Sequence, residues 1–304
     1  ETCEQCHWPS HFSGSREKTF NHTLFDAPNT AWPVRMLIKV GGSQDPVTGV
    51  PTGIHWNINE KNKVEYIATD YKRQSIPWVR WTDSNGKVRV FQSKSEPLNE
   101  EQVAKHLSKG EVRTMECLDC HNRPSHNFKS PDTIVNQGIG SRLIDSSLPE
   151  IKLAAVTALD GKYETEEEAM KQIANSLRKF YSEKHPEVLK SQLQSLEKAI
   201  ETVQNSYKNN MFPEMKVKWS EYPNNIGHLY FPGCTRCHDG NHVDKENHII
   251  SNKCNNCHTI LSQGPNSSNT MATTADGLEF QHPVDIGDEW KSGQCSACHN
   301  GSVH

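Results

Sequence analysis

Apolar residues change their spacing along the chain. Met36–Val40, Ile54–Ile58 and Val64–Thr69 are short apolar runs broken by Gly41-Gly42 and Asp45-Pro46, the pattern of short strands. Trp78–Trp81 and Lys87–Phe91 flank Asp83-Ser-Asn-Gly86, and Asn-Gly between two such runs signals a hairpin. Residues 99–109 read as a short helix. From Pro131 the period becomes helical: Ser130-Pro131-Asp132 starts one helix, and Pro149 starts another that ends near Gly161. Thr165-Glu-Glu-Glu168 is a capping box, and Ala169, Met170, Ile173, Leu177 and Phe180 follow it on one face. Pro186 opens the longest predicted helix, with Leu189, Leu193, Leu196, Ile200, Val203 and Tyr207 at helical spacing. These stripes predict a helical hairpin packed on itself and carry no catalytic constellation. Beyond Met211 the chain returns to loop, and the Ser/Asn/Thr-rich residues 262–276 read as a mobile loop.

Composition changes this picture. Only 34% of the 304 residues are hydrophobic, against roughly 45–50% for an ordinary globular chain. Mean hydropathy is −0.77, and no run approaches the roughly 20 apolar residues of a membrane-spanning helix. Formal charge is −4, from 33 basic and 37 acidic residues. No basic tract of the nucleic-acid-binding kind is present. Seven Trp, seven Tyr and nine Phe argue against disorder, so something other than side chains must fill part of the interior.

The ten cysteines and sixteen histidines indicate what does. Every cysteine lies in a C-x-x-C pair followed at once by histidine: Cys3/Cys6/His7, Cys117/Cys120/His121, Cys234/Cys237/His238, Cys254/Cys257/His258 and Cys295/Cys298/His299. C-x-x-C-H is the c-type haem attachment sequence. On one helical turn residues i and i+3 share a face, so both sulfurs reach one porphyrin edge while the histidine ligates the iron. A disulfide framework gives no reason for the histidines, and a thioredoxin-like pair occurs once rather than five times. A zinc ribbon fits only Cys237 to Cys254 and leaves the other pairs unmatched. A histidine after all five pairs has a chance of about 10⁻⁶ on composition. Five covalent haems c are therefore expected as cofactors, and their apolar plates account for the apolar deficit.

Eleven histidines remain as candidate sixth ligands, which favours bis-histidine irons over ligation by Met36, Met115, Met170, Met211, Met215 or Met271. Five are selected. His126 and His242 follow their motifs too closely to cross their own haem and are expected to reach a neighbouring one. His228 and His282 lie in short loops entering a motif. His55, in Gly-Ile-His-Trp, is placed on a strand among apolar neighbours. Of the rest, His106 reads as solvated on a charged helix and His185 as a helix N-terminus. His11, His22 and His248 have polar surroundings, although His11 repeats the short spacing after a motif. His304 is the last residue, either frayed or donated to a neighbouring chain.

The expected fold is mixed: mainly α with irregular haem-wrapped loops and a small antiparallel β region, a multihaem cytochrome c architecture. Residues 1–130 form an N-terminal dihaem region with a small sheet, residues 131–215 a helical hairpin spacer, and residues 216–304 a C-terminal trihaem region. Cys117–His126 and Asn225-Ile-Gly-His-Leu-Tyr-Phe-Pro-Gly-Cys-Thr-Arg-Cys-His-Asp-Gly240 carry a resemblance to multihaem cytochromes c of anaerobic respiratory bacteria. The pattern is most similar to the soluble part of the NapC/NirT-like group, whose first motif directly follows a membrane anchor. Cys3 sits at the start in the same way, but no methionine closely follows it as in quinol-oxidising members, so no quinol site carries over.

The resemblance implies electron transfer in anaerobic respiration. Its partners would be redox proteins, among them a membrane quinol-oxidising complex. Haem c is attached outside the cytoplasm, so a periplasmic or extracellular location is expected, with a signal or anchor ahead of Glu1 removed. Two alternatives stand beside a periplasmic carrier. In one, identical subunits joined head to tail form an extracellular haem-wire filament, with His11 or His304 ligating across the junction. In the other, a nitrite or hydroxylamine reductase keeps one axial position open, but the C-x-x-C-K motif typical of pentahaem nitrite reductases is absent. An electron carrier rather than an enzyme is expected, with no catalytic residues.

Overall fold

The computed structural model describes residues 14–41, 43–44, 51–58, 62–123, 125, 127–265 and 271–303. Cys3, Cys6, His7, His11, His126, His304 and part of the expected loop at 262–276 lie outside them.

The strands are β1 (Gly14–Thr23), β2 (Ala31–Gly41), β3 (Ser43–Gln44), β4 (Pro51–Thr52), β5 (Lys63–Ile67), β6 (Trp78–Thr82), β7 (Val88–Ser93), β8 (Arg113–Thr114), β9 (His242–Val243) and β10 (His258–Gln263). They form three antiparallel sheets among the described residues, ordered β1-β2-β10, β3-β4 and β8-β5-β6-β7-β9. In the largest, Tyr66, Ile67, Trp78 and Val79 are buried. The hairpin turn joins β6 to β7, with Gly86 at φ +79° donating its N–H to Asp83 O at 3.0 Å.

Three local expectations change. Ile54–Ile58 is not a strand: the chain turns at Gly53 and continues as a short 3₁₀ turn over Trp56–Ile58. Gly53 has φ +112°, and a Cβ there would sit 2.9 Å from Lys39 O, so glycine alone fits this return onto β2. β1 was hidden by its charged side chains, most of which are exposed. The C-terminal part, expected to lack regular structure, supplies β10, which pairs His258 with Ile38 and Ile260 with Met36 across more than 200 residues of sequence.

The helices are α1 (Glu100–Ser108), α2 (Cys117–Cys120), α3 (Pro131–Gly140), α4 (Ile151–Leu159), α5 (Glu166–Lys184), α6 (Pro186–Ser191), α7 (Leu193–Lys208), α8 (Glu289–Ser292) and α9 (Cys295–Cys298). α3 starts as its sequence dictates, with Pro131 in the first turn and the Ser130 hydroxyl accepting from Thr133 N. Thr165 caps α5 by accepting from Glu168 N. The capping box is only half made, because the Glu168 carboxylate accepts from Glu164 N instead. The helix expected from Pro186 is two helices, broken where Gln192 leaves helical geometry at φ −133°, ψ 24°. The break turns Leu193 out to solvent while Val188 and Leu196 stay buried. α5 is thus longer than either piece.

α5 packs back on α6 and α7, and α3 and α4 join them in one core running from Ile134 to Trp219. Among the described residues no helix is long and apolar enough to cross a membrane. The layer is joined to the rest through Lys152, only 3% exposed. Its ammonium lies 2.6 Å from Asp132 Oδ1 and donates to Asn136 Oδ1 at 3.0 Å and to the Thr23 carbonyl of β1. Tyr230, close before the third motif, donates its hydroxyl to Asp132. The chain after the fifth motif docks here too, with Gly301 O accepting from Asp132 N at 3.1 Å. A Cβ on Gly301 would meet Trp219 at 2.5 Å.

Candidate haem-binding motifs and histidine pairs

All four described motifs lie on a single tight turn. Cys117–Cys120 and Cys295–Cys298 are one-turn α-helices. Gly233–Arg236 and Cys254–Asn256 are 3₁₀ turns. In the second and fifth motifs the histidine N–H closes the turn on the first cysteine's carbonyl, at 2.7 Å for His121 and 2.8 Å for His299. His238 does the same at 3.1 Å. The cysteines therefore sit at i and i+3 on one face, and none of the eight described ones is in a disulfide. Gly233 is required at the entry to the third motif: at φ +50°, its Cβ would collide with Gly227 O.

Three expected distal histidines face motif histidines. The ring centroids of His55 and His121 are 6.3 Å apart with planes 10° from parallel. His228 and His258 are 6.2 Å apart at 20°, and His282 and His299 are 6.0 Å apart at 45°. A metal–imidazole bond of about 2.0 Å, with about 1.1 Å from the bonding nitrogen to the ring centre, puts two opposed axial rings about 6.2 Å apart. All three separations match that span, so these residues fit an iron held between two imidazoles. A ligating histidine commonly donates its other N–H to a carbonyl, which fixes tautomer and orientation. His55 Nδ1 lies 2.9 Å from Val40 O, His238 Nδ1 2.8 Å from Ser251 O and His282 Nδ1 2.8 Å from Val284 O. Burial lowers the pKa of His55 and His228. Burial first, then His228 and Lys39, pushes His258 down to about 4. All three are thus kept as neutral imidazoles, the ligating form.

His242 departs from expectation. Both its ring nitrogens are engaged, Nδ1 with Asp239 Oδ1 at 2.8 Å and Nε2 with Ile76 O at 2.7 Å, and the residue is 2% exposed. Its pKa is raised: burial opposes the charge, but the bonds to Asp239 and Ile76 outweigh it. It donates to two acceptors and offers iron no lone pair, so its place is a buried brace between the third motif and the loop before β6. The described unselected histidines also have protein partners. His106 pairs with Glu111 at 2.7 Å, His185 with Glu150 at 2.8 Å and His248 with Asp244 at 2.9 Å. His185 both ends α5 and begins α6. His22 is half-buried beside Phe20.

Charged residues that motif reading passes over hold the sites together. Asp119, inside the second motif and 2% exposed, accepts from the Tyr66 hydroxyl at 2.6 Å and from Arg73 Nη1 at 3.0 Å. Burial first, then Asp119, pushes the Tyr66 phenol up to about 12. Arg236, inside the third motif, donates to Asp119 O at 3.0 Å and Arg73 O at 2.9 Å, so motifs two and three are stapled through their x residues. Gln294, just before motif five, reaches Thr235 O of motif three at 3.5 Å. Lys39 of β2 donates its backbone N–H to Cys257 O at 2.8 Å and its ammonium to Asn255 O. The one sequence signal was opposite charge at the x positions, Asp119 against Arg236.

The thiols report the same adjacency. Burial raises Cys120 and Cys257 to about 11 and Cys237 to about 12. Cys234 adds to the shifts of both Cys120 and Cys257, and Cys254 adds to the burial-driven rise of Cys295. Hydrogen bonds thus join the second motif to the third, the fifth to the third, and, through Ser251, the third to the fourth.

Tight C-x-x-C-H turns facing second histidines at iron-spanning distance support a c-type cytochrome. Similarity supports the same class. Over 300 residues, 98% of its length, the chain is 42% identical to the cytochrome c-type protein ImcH of Geobacter sulfurreducens, and it spans 57% of that protein's length. No family model matches the chain. No solved structure matches it.

Proposed function

We propose that the chain is an electron carrier holding five covalent c-type haems, with bis-histidine irons at His121/His55, His258/His228 and His299/His282. The three ring separations of 6.0–6.3 Å carry this reading. Haem c supplies one-electron Fe(III)/Fe(II) exchange when bound. The chain's residues fix the ligands, exclude water and set the distance between sites. Arg236 and Asp119 hold the second and third sites together, and β2 with β10 carries the fourth. The third site is the junction of the path, bonded to the second through Arg236, to the fourth through Ser251 and to the fifth through Gln294. His238 and His7 head the two remaining sites. The role is transfer between redox partner proteins on the periplasmic or extracellular side in anaerobic respiration.

Intact-mass measurement of the holoprotein is expected to find five haem adducts, and fewer would reject the haem count. Electron paramagnetic resonance of the oxidised protein is expected to show low-spin iron only. His228→Ala is expected to turn one component high-spin with the adduct count unchanged. A high-spin component in the unaltered protein, with rapid CO binding on reduction, would reject the carrier in favour of a reductase.

A further inference from the structure

We infer that Lys39 is a potential-setting residue whose ammonium, fixed on the fourth motif, raises the potential of the Cys254–His258 site. The inference rests on the haem reading above. Lys39 is clamped at both ends to this motif, its backbone N–H on Cys257 O at 2.8 Å and its ammonium on Asn255 O. The β2–β10 register sets the adjacent Ile38 opposite His258. Among the described residues no carboxylate lies within ion-pair distance of Lys39. The carboxylate of Asp276 accepts from the Asn255 side-chain amide at 3.3 Å. A fixed cation beside an iron disfavours the ferric state, because that state carries one more positive charge.

The third site differs in its ligand. His238 donates Nδ1 to Ser251 O at 2.8 Å, which raises the basicity of the ligand and favours ferric iron. His258 Nδ1 is buried without any hydrogen-bond partner. The carboxylate of Asp239 directly follows His238, with His242 and Arg236 as the cations nearby. Lys39 and the unbonded Nδ1 therefore act in one direction at the fourth site. With haem bound, Lys39 would favour the reduced state of the fourth site, and no proton would move with the electron.

The test is a potentiometric titration of the fully loaded protein, followed by electron paramagnetic resonance. The fourth-site signal is identified as the low-spin component lost in His228→Ala. Lys39→Gln is expected to lower the reduced-to-oxidised ratio of that component about tenfold at fixed potential, a shift of about 59 mV for one electron. Other components should stay in place, and Lys39→Arg should restore the original value. A shift below threefold, or one spread equally over all components, would overturn the inference. A deficit of haem adducts by mass would instead reject the haem reading itself.

Discussion

In the layer from Pro131 to Trp219, Leu148, Ile151, Ile173, Tyr181 and Leu196 are sealed from solvent around one continuous core. In the segments that carry the cysteine motifs, Leu118 is 51% and Ile226 56% exposed, and Cys234, Cys254 and Cys298 lie open. The apolar clusters beside them are small, one around Tyr66 and Phe91 and one around Ile67 and Trp78. The helical layer is stabilised by its own side chains, at roughly 25 cal/mol per Å² of apolar area buried. The motif segments rely on backbone and side-chain clamps such as Arg236 on Asp119 and Lys39 on Cys257. A chain with few apolar residues can afford this division when a large apolar cofactor joins only one part.

The largest expected effect comes from withholding the cofactor. In protein made without haem attachment, hydrogen exchange should show amides of 117–123 and 233–263 opening with free energies near zero. Amides of α4, α5 and α7 should keep most of their protection. Equal loss of protection in both regions would erase the division.

The same division decides what could be read from sequence. The helical stripes were legible because a 3.6-residue period is local: Ile173, Leu177, Leu196, Ile200 and Val203 all lie in the core. The break at Gln192 was not, because nothing in its neighbours disfavours helix. The histidine pairs were half legible. Local surroundings singled out His55, His228 and His282, but which motif histidine each faces, 66, 30 and 17 residues away in sequence, is set only by folding, as is the β2–β10 pairing. His242 misled because proximity to a motif cannot reveal Ile76 O, brought to it from 166 residues away.

The joint between the regions is the next test. Lys152 and Asp132 are an ion pair in the core, and burial lowers the pKa of the lysine. Asp132→Asn would leave a buried ammonium without its counter-charge and should cost about 3–5 kcal/mol in denaturant unfolding. It should also loosen β1 and the segment at Tyr230, because both bond to this pair. Adding Lys152→Met is expected to recover most of the loss. No recovery would mean that packing rather than charge governs the joint.

Alkaline pH should act on the helical layer in a defined window. Burial first, then the neighbouring Tyr163 and Glu214, pushes Tyr207 up to about 12, from an ordinary value of about 10. Below pH 10 both folded and unfolded chains keep the phenolic proton, and the contribution of Tyr207 is whole. Between pH 10 and about 12 the unfolded chain releases the proton while the folded one holds it, so stability falls as pH rises. Unfolding midpoints from pH 9 to 11.5, followed by circular dichroism, should show this fall. Tyr207→Phe should make it shallower, and an unchanged slope would assign it elsewhere.

The smallest expected effect asks whether charge supports the helical layer at all. Arg178 makes a two-point contact across α5 and α7 with Glu197, at 2.8 and 2.6 Å, with both side chains substantially exposed. Fork geometry favours the pair, but water and salt screen it, and exposed pairs contribute about 0.2–1 kcal/mol. A double-mutant cycle of Arg178→Ala and Glu197→Ala should give a coupling in that range at low salt, shrinking at 1 M salt, where the Debye length is about 3 Å. A coupling that survives high salt would mean that the pair acts through the aliphatic part of Arg178 packed on the helices, and apolar contact would then account for this last polar feature of the layer as well.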